Sequence, residues 1–158
     1  MTRKGQSAME YLMTYGWAIL VIVIVIAVLF YIGVLNPANV TPVVCTFPPG
    51  FSCASYKLAS NGTLDLKIGQ ATGHRVQLTG LACTQALEPQ NWTTLNINIS
   101  NGLSAYLGEI NCTTEEGEVA IGANGDTSKF RVWMNYSELD SGGKKRQIAG
   151  DITARYEP

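Results

Sequence analysis

Four cysteines, six Asn-x-Ser/Thr sequons and one isolated glutamate carry most of the chemistry open to this chain. Cys45, Cys53, Cys83 and Cys112 form an even set without Cys-x-x-Cys spacing, which points to two disulfides in an oxidising compartment rather than to a zinc site. Four cysteines allow three pairings. Cys45 with Cys53 closes the loop that holds Pro48-Pro49-Gly50 and leaves Cys83 with Cys112 to pin two later segments, and this is the favoured arrangement. The sequons Asn39, Asn61, Asn91, Asn98, Asn111 and Asn135 are glycosylation acceptors if they reach the exterior. An Asn/Thr-rich β-protein that meets the pattern by accident is the bland alternative. His74, the only histidine, sits in the turn-like Thr72-Gly73-His74-Arg75, and Glu115, Glu116 and Glu118 read as a solvated, Gly-flanked loop. No nucleophile–base set, Gly-rich phosphate loop or metal-ligand spacing emerges, so neither an enzyme nor a cofactor is expected. A net charge of −1 without a basic patch argues against nucleic acid.

Glu10, the glutamate nearest the N-terminus, directs attention to the element that follows it. No charged residue occurs from Tyr15 to Leu35, and every residue from Trp17 to Ile32 is apolar or aromatic. The stretch from Tyr11 to Leu35 is about 37 Å long as a helix, enough to cross a hydrocarbon core of about 30 Å with some tilt. It exceeds the apolar core of a cleaved secretory signal, about 7–15 residues. A buried core helix would need a partner large enough to cover a helix apolar all round, and the chain offers none. Val21-Ile22-Val23-Ile24-Val25-Ile26 is β-branched and a poor helix former in water. In lipid each unpaired backbone group costs several kcal/mol, against about half a kcal/mol per residue for propensity, so helix wins. Pro37 disfavours helical geometry at Asn36 and sets the expected end there.

Arg3 and Lys4 precede the span and keep the extreme N-terminus cytoplasmic. The rest of the chain then lies outside, in agreement with the cysteines and sequons. That part reads as β. Leu64, Leu66 and Ile68 alternate with polar residues, as do Val76 and Leu78, then Leu95, Ile97 and Ile99. Phe130, Val132, Met134 and Tyr136 follow the same period, and so do Ile148, Ile152, Ala154 and Tyr156, with Ser141-Gly142-Gly143 turning between these last two runs. Asn98 and Asn135 fall on the polar phase of their strands.

The most specific segment is Arg3-Lys4-Gly5-Gln6-Ser7-Ala8-Met9-Glu10-Tyr11-Leu12, with the apolar run directly behind it. A short basic leader ending in Gly, then Gln, then Glu four residues on, resembles the class III signal peptide of archaeal type IV pilins. The resemblance covers roughly residues 3 to 36. It implies cleavage between Gly5 and Gln6 by a prepilin peptidase on the cytoplasmic side, with the hydrophobic segment retained. It implies that Glu10, fifth in the mature chain, pairs with the new amine of a neighbouring subunit. It also implies partners: identical subunits in a helical filament, an assembly ATPase and a membrane platform protein. Apart from the resemblance, Gly5 offers a backbone that a protease can approach closely. An unpaired charge placed deeper in lipid would cost about 2.5–3.5 kcal/mol, which gives Glu10 a reason to find an amine.

The expected class is therefore α+β: one long N-terminal hydrophobic helix followed by a small antiparallel β-sandwich or barrel head. The expected divisions are a leader over 1–5, a transmembrane and filament-core helix over 6–36, a neck over 37–44 and an extracellular head over 45–158. The function expected is that of a pilus-like filament subunit serving adhesion or cell contact, membrane-inserted first and cell-surface thereafter. The alternatives are a minor pilin or pseudopilin, or a single-pass anchored binding domain that never polymerises.

Overall fold

The computed structural model describes residues 3–33 and 42–158. They fall into two compact units divided at Thr41 and Pro42. The first is a single helix, α1 (Arg3–Tyr31), of 29 residues, closed by the Ile32 and Gly33 amides bonding back to Val28 and Phe30 carbonyls. Gly33 has φ +71°, the left-handed geometry that ends helices cheaply only at glycine. The helix stops short of the expected end, and Asn36 and Pro37 lie outside the described residues.

The second unit is built of eight strands: β1 (Val44–Thr46), β2 (Phe51–Ala59), β3 (Thr63–Gln70), β4 (Val76–Thr84), β5 (Thr93–Ile99), β6 (Ser104–Thr113), β7 (Thr127–Glu138) and β8 (Lys144–Glu157). Alternation drives the regular ones. In β3 Leu64, Leu66, Ile68 and Gln70 point inward, and in β7 Phe130, Val132, Met134 and Tyr136 do the same. Their inner faces meet those of β4 and β8 in one core that includes Val76, Leu78, Leu81, Ile152 and Tyr156. Phe51 packs edge-on against Tyr136 with ring centroids 5.0 Å apart.

Six of the strands close into a barrel in the order β8-β2-β3-β6-β4-β7 and back to β8. Four of its joints are antiparallel, from the two-sided pairing of β7 with β4 and β8 and of β3 with β2 and β6. The other two are short parallel seams: Leu58 and Ala59 beside Tyr156 and Glu157, and Cys83 and Thr84 beside Cys112 and Thr113. The two remaining strands hang on the outside of these seams, β1 antiparallel on β8 and β5 antiparallel on β4.

This arrangement corrects the expected α+β layout. The described chain is mostly β with one N-terminal helix rather than a long helix with a small head, and its strands close a six-stranded barrel through two parallel seams, where an antiparallel sandwich or barrel was expected. Two physical causes separate expectation from structure. Parallel seams join strands far apart in sequence, which local alternation does not register. And β2 and β6, absent from the period-two reading, are each bulged. An extra residue between Cys53 and Ser55 shifts β2 out of phase, and β6 gains one opposite Asp65–Lys67, where Gly108 adopts φ +83°.

Candidate functional site

The chemistry-bearing residues separate into those on α1 and those on the barrel. Gly5 and Gln6 lie within α1, whose backbone is helical from Arg3 onward. Glu10 is exposed and seven positions beyond Arg3, about two turns. In the uncut chain it is therefore too far from the helix start for a favourable dipole contact, which fades within the first turn. Cutting after Gly5 would bring the helix start to within about one turn of it. Thr14 donates its hydroxyl to the Glu10 carbonyl at 2.8 Å, so that polar group is satisfied locally without leaving the helix. Tyr11 and Tyr15 stack one turn apart with centroids at 4.4 Å.

From Met9 to Tyr31 the helix has a mean hydropathy of 2.7 over its most apolar window, long and apolar enough to span a membrane. Ile19, Leu20, Val21, Ile22, Val23, Ile24, Val25, Ile26 and Val28 are each about half exposed, and they point in all directions around the axis. Nothing in the described residues covers that window.

On the barrel, Cys45 bonds Cys53 and Cys83 bonds Cys112, the pairing favoured from the sequence. Their placement explains more than their pairing does. Cys83 and Cys112 are register partners, so their bridge lies directly across the β4–β6 parallel seam. Cys45 is on β1 and Cys53 on β2, the two strands that share one side of β8, so the second bridge ties β2 to the neighbour that pairs with β8. Each seam has only two residue pairs, and the β4–β6 seam is the one a bridge crosses. Sequence reasoning located the cysteines without this signal, because the seams themselves were invisible to it.

The neck side of the barrel is anchored by Phe47, whose ring lies directly on the backbone of Gly150 in β8, filling the space a side chain would take. The far end of β8 is tied in as well. Glu157 O accepts from the Ser60 amide at 2.9 Å and from its hydroxyl at 3.0 Å, and Lys57 Nζ donates to Pro158 O at 3.0 Å.

The sequons do not share one environment. Asn61, Asn91, Asn98 and Asn111 are exposed, Asn135 is half-buried, and Asn39 lies outside the described residues. Asn61 is bent into the β2–β3 turn, its side-chain oxygen accepting from the Thr63 amide at 3.0 Å. Asn91 and Asn111 border one open groove of about 400 Å³ that Trp92 also lines. Trp92 packs over Gly80 on the outer side of β4, beside the Asn135 side chain.

The residues weighed for other chemistry are dispersed. His74 accepts at its backbone carbonyl from Gln70 Nε2 at 2.6 Å. Glu115, Glu116 and Glu118 are exposed around a turn, and no group of three metal-ligating side chains converges among the described residues. Arg75 and Asp140 form an exposed bidentate pair, Nη2 to Oδ1 at 2.7 Å, with the Arg75 amide also on Oδ2 at 2.8 Å. The Arg75 side-chain hydrogen bond, then its backbone one, hold the Asp140 carboxyl below the usual carboxylate range. Tyr106 donates to Asp65, and that hydrogen bond, ahead of burial, raises its phenol.

No protein family, curated protein or solved structure matches this chain.

Proposed function

We propose that this chain is the precursor of a structural subunit of a type IV pilus-like surface filament. In this reading α1 inserts in the membrane with the N-terminus cytoplasmic, a prepilin peptidase cuts between Gly5 and Gln6, and the mature subunits polymerise through α1. The observation that carries the proposal is the helix apolar on every side. Covering the exposed half of nine aliphatic side chains, at about half of 1.5–3 kcal/mol each, is worth on the order of 7–13 kcal/mol, comparable to a typical domain's whole stability of about 5–15 kcal/mol. Such a helix is at rest in lipid or among copies of itself. The exchange between those two states is close to balanced, because lipid tails are as apolar as leucine. Moving from one to the other accordingly calls on an assembly ATPase and a membrane platform protein.

Glu10 supports polymerisation over simple anchoring. A permanent anchor gains nothing from a carboxylate at the second residue of its span, whereas a subunit that docks onto another gains a charge to match against a newly made amine. The barrel suits exterior duty in adhesion or cell contact, with two disulfides and a core drawn from its own strands.

Mass spectrometry on material sheared from native cells tests the proposal. A chain beginning at Gln6 and recovered in sedimentable fibres is the expected result. A chain that retains Met1 or Thr2 and is released only by detergent refutes polymerisation and leaves an anchored binding domain.

A further inference from the structure

We propose that N-linked oligosaccharides on Asn91 and Asn98 shield β5, the longer of the two open-edge strands, and that Asn111 and Asn135 stay unmodified in the folded head. Two separate observations converge on β5. The first concerns the sequons. Transfer of an oligosaccharide requires access to the Asn amide and to the Ser or Thr hydroxyl two residues on. In Asn91-Trp92-Thr93 and Asn98-Ile99-Ser100 both the Asn and the hydroxyl residue are exposed. In Asn111-Cys112-Thr113 the hydroxyl residue is buried, and Thr113 Oγ1 donates to Cys83 O at 3.3 Å across the stapled seam. In Asn135-Tyr136-Ser137 both Tyr136 and Ser137 are buried in β7, which is paired along both sides. Asn61 is tied to Thr63, and the Thr63 hydroxyl lies 3.4 Å from Asn111 Oδ1, so it is left out of the proposal.

The second observation concerns the strand. Among the described residues β5 pairs with β4 alone, so one of its edges presents unpaired backbone groups. Proteins usually blunt such an edge with charge or proline. β5 reads Thr93-Thr94-Leu95-Asn96-Ile97-Asn98-Ile99 and has neither. A seven-residue run that alternates Leu and Ile with Asn behind two Thr, without charge or proline, leaves nothing to prevent stacking into intermolecular sheets. The two accessible sequons flank this run, one within it and one two residues ahead of it. Alternation turns Asn98 to the solvent side, opposite the buried Ile99. A bulky solvated chain there supplies the obstruction that the sequence omits.

The chemistry balances with a lipid-phosphate-linked oligosaccharide as donor. The Asn amide nitrogen attacks the anomeric carbon, a carbon–nitrogen bond forms, and the carbon–oxygen bond to phosphate breaks. The lipid phosphate leaves with the electron pair, and the amide gives up one proton. The inference rests on the exterior placement of the head and not on polymerisation.

The experiment is site-resolved glycopeptide mass spectrometry on the full chain extracted with detergent from native cells, whether assembled or not. Glycan mass on Asn91 and Asn98, with Asn111 and Asn135 bare, is the expected result. The N91Q/N98Q variant, checked for native near-ultraviolet dichroism, should shift from monodisperse to higher oligomers on sedimentation. N91Q/N98K, which charges the edge instead, should restore the native profile. Bare Asn91 and Asn98, equal occupancy at Asn111 or Asn135, or an N91Q/N98Q variant as monodisperse as native would each overturn the proposal. Recovery of fibres starting at Gln6 is scored independently, so failure of the filament reading leaves this outcome legible.

Discussion

Removing the two disulfides one at a time should destabilise the barrel unequally, with the Cys83–Cys112 bridge the more costly loss. It spans a sequence separation of 29 and the Cys45–Cys53 bridge one of 8. Loop-closure entropy then gives about 3.6 kcal/mol for the first and about 2.6 kcal/mol for the second. The measured gap should exceed that difference of about 1 kcal/mol, because Cys83 and Cys112 are register partners within the seam, and without the bridge only the two backbone pairs at 83–112 and 84–113 hold β4 to β6. With an unfolding entropy of about 2.1 cal/mol/K for each of roughly 120 head residues, 3.6 kcal/mol is a drop in Tm of about 14 °C. Both sulfurs are in the core, so the variant should be C83A/C112A; serine would bury two hydroxyls and add about 1–3 kcal/mol for each left unpaired. C45A/C53A is the comparison. Thermal melts of the full chain in detergent, followed by near-ultraviolet dichroism, read the head transition. If C45A/C53A melts at or below C83A/C112A, the account of the Cys83–Cys112 bridge as the staple on a short parallel seam is wrong.

Four other outcomes follow from named residues. Glu10→Ala should leave cleavage after Gly5 intact while fibre yield falls, read by mass spectrometry and by sedimentation of sheared material; a normal yield removes Glu10 from assembly. Gly150→Ala should cost about 1–3 kcal/mol, since the new methyl meets the Phe47 ring and must displace it; a denaturation midpoint equal to the native one contradicts that packing. Asp140 has a depressed pKa in the fold, so its contribution is present above its unfolded value of about 3.9 and is lost as pH falls through the folded value. Tyr106, with a raised pKa, contributes below about pH 10 and loses that contribution as pH rises through its folded value. Asp140→Asn should therefore flatten the acid limb of the stability profile and Tyr106→Phe the alkaline limb, and an unchanged limb in either variant defeats the corresponding assignment.

What the sequence disclosed of the fold tracks how regular each strand is. β3, β7 and β8 keep strict phase over most of their length, so Leu64, Leu66 and Ile68 or Phe130, Val132 and Met134 announce both strand and inner face. The turn at Ser141-Gly142-Gly143 was equally legible, and Gly142 and Gly143 take φ of +77° and +70° there. β2 and β6 were not legible, because a single bulge reverses the phase midway. Phe51 and Cys53 lie on one parity and Tyr56 and Leu58 on the other; Ala105 and Leu107 likewise precede Ile110 and Cys112. β4 has a similar register shift between Leu78 and Gly80 and a second irregularity besides. From Gly80 to Thr84 it is buried on both faces, because Trp92 and its loop cover the outer side, and alternation vanishes where burial is two-sided.

The same irregularities decide what the candidate sites mean. A count of cysteines and sequons is available from one sequence, but their worth depends on which strand faces which. Cys112 follows Asn111 directly, so the disulfide that holds the β4–β6 seam also fixes the backbone of that sequon and buries the Thr113 hydroxyl. The seam thus turns one acceptor motif into structure, while β5, displaced outward from the ring, keeps its own motifs in solvent. The barrel's two parallel closures are its least cooperative joints, with two residue pairs each against the twelve that join β7 to β8. The Cys83–Cys112 bond crosses one closure directly, and the Cys45–Cys53 bond links β2 to β1, which pairs with β8, so each short seam is backed by a covalent link between its own strands or their neighbours.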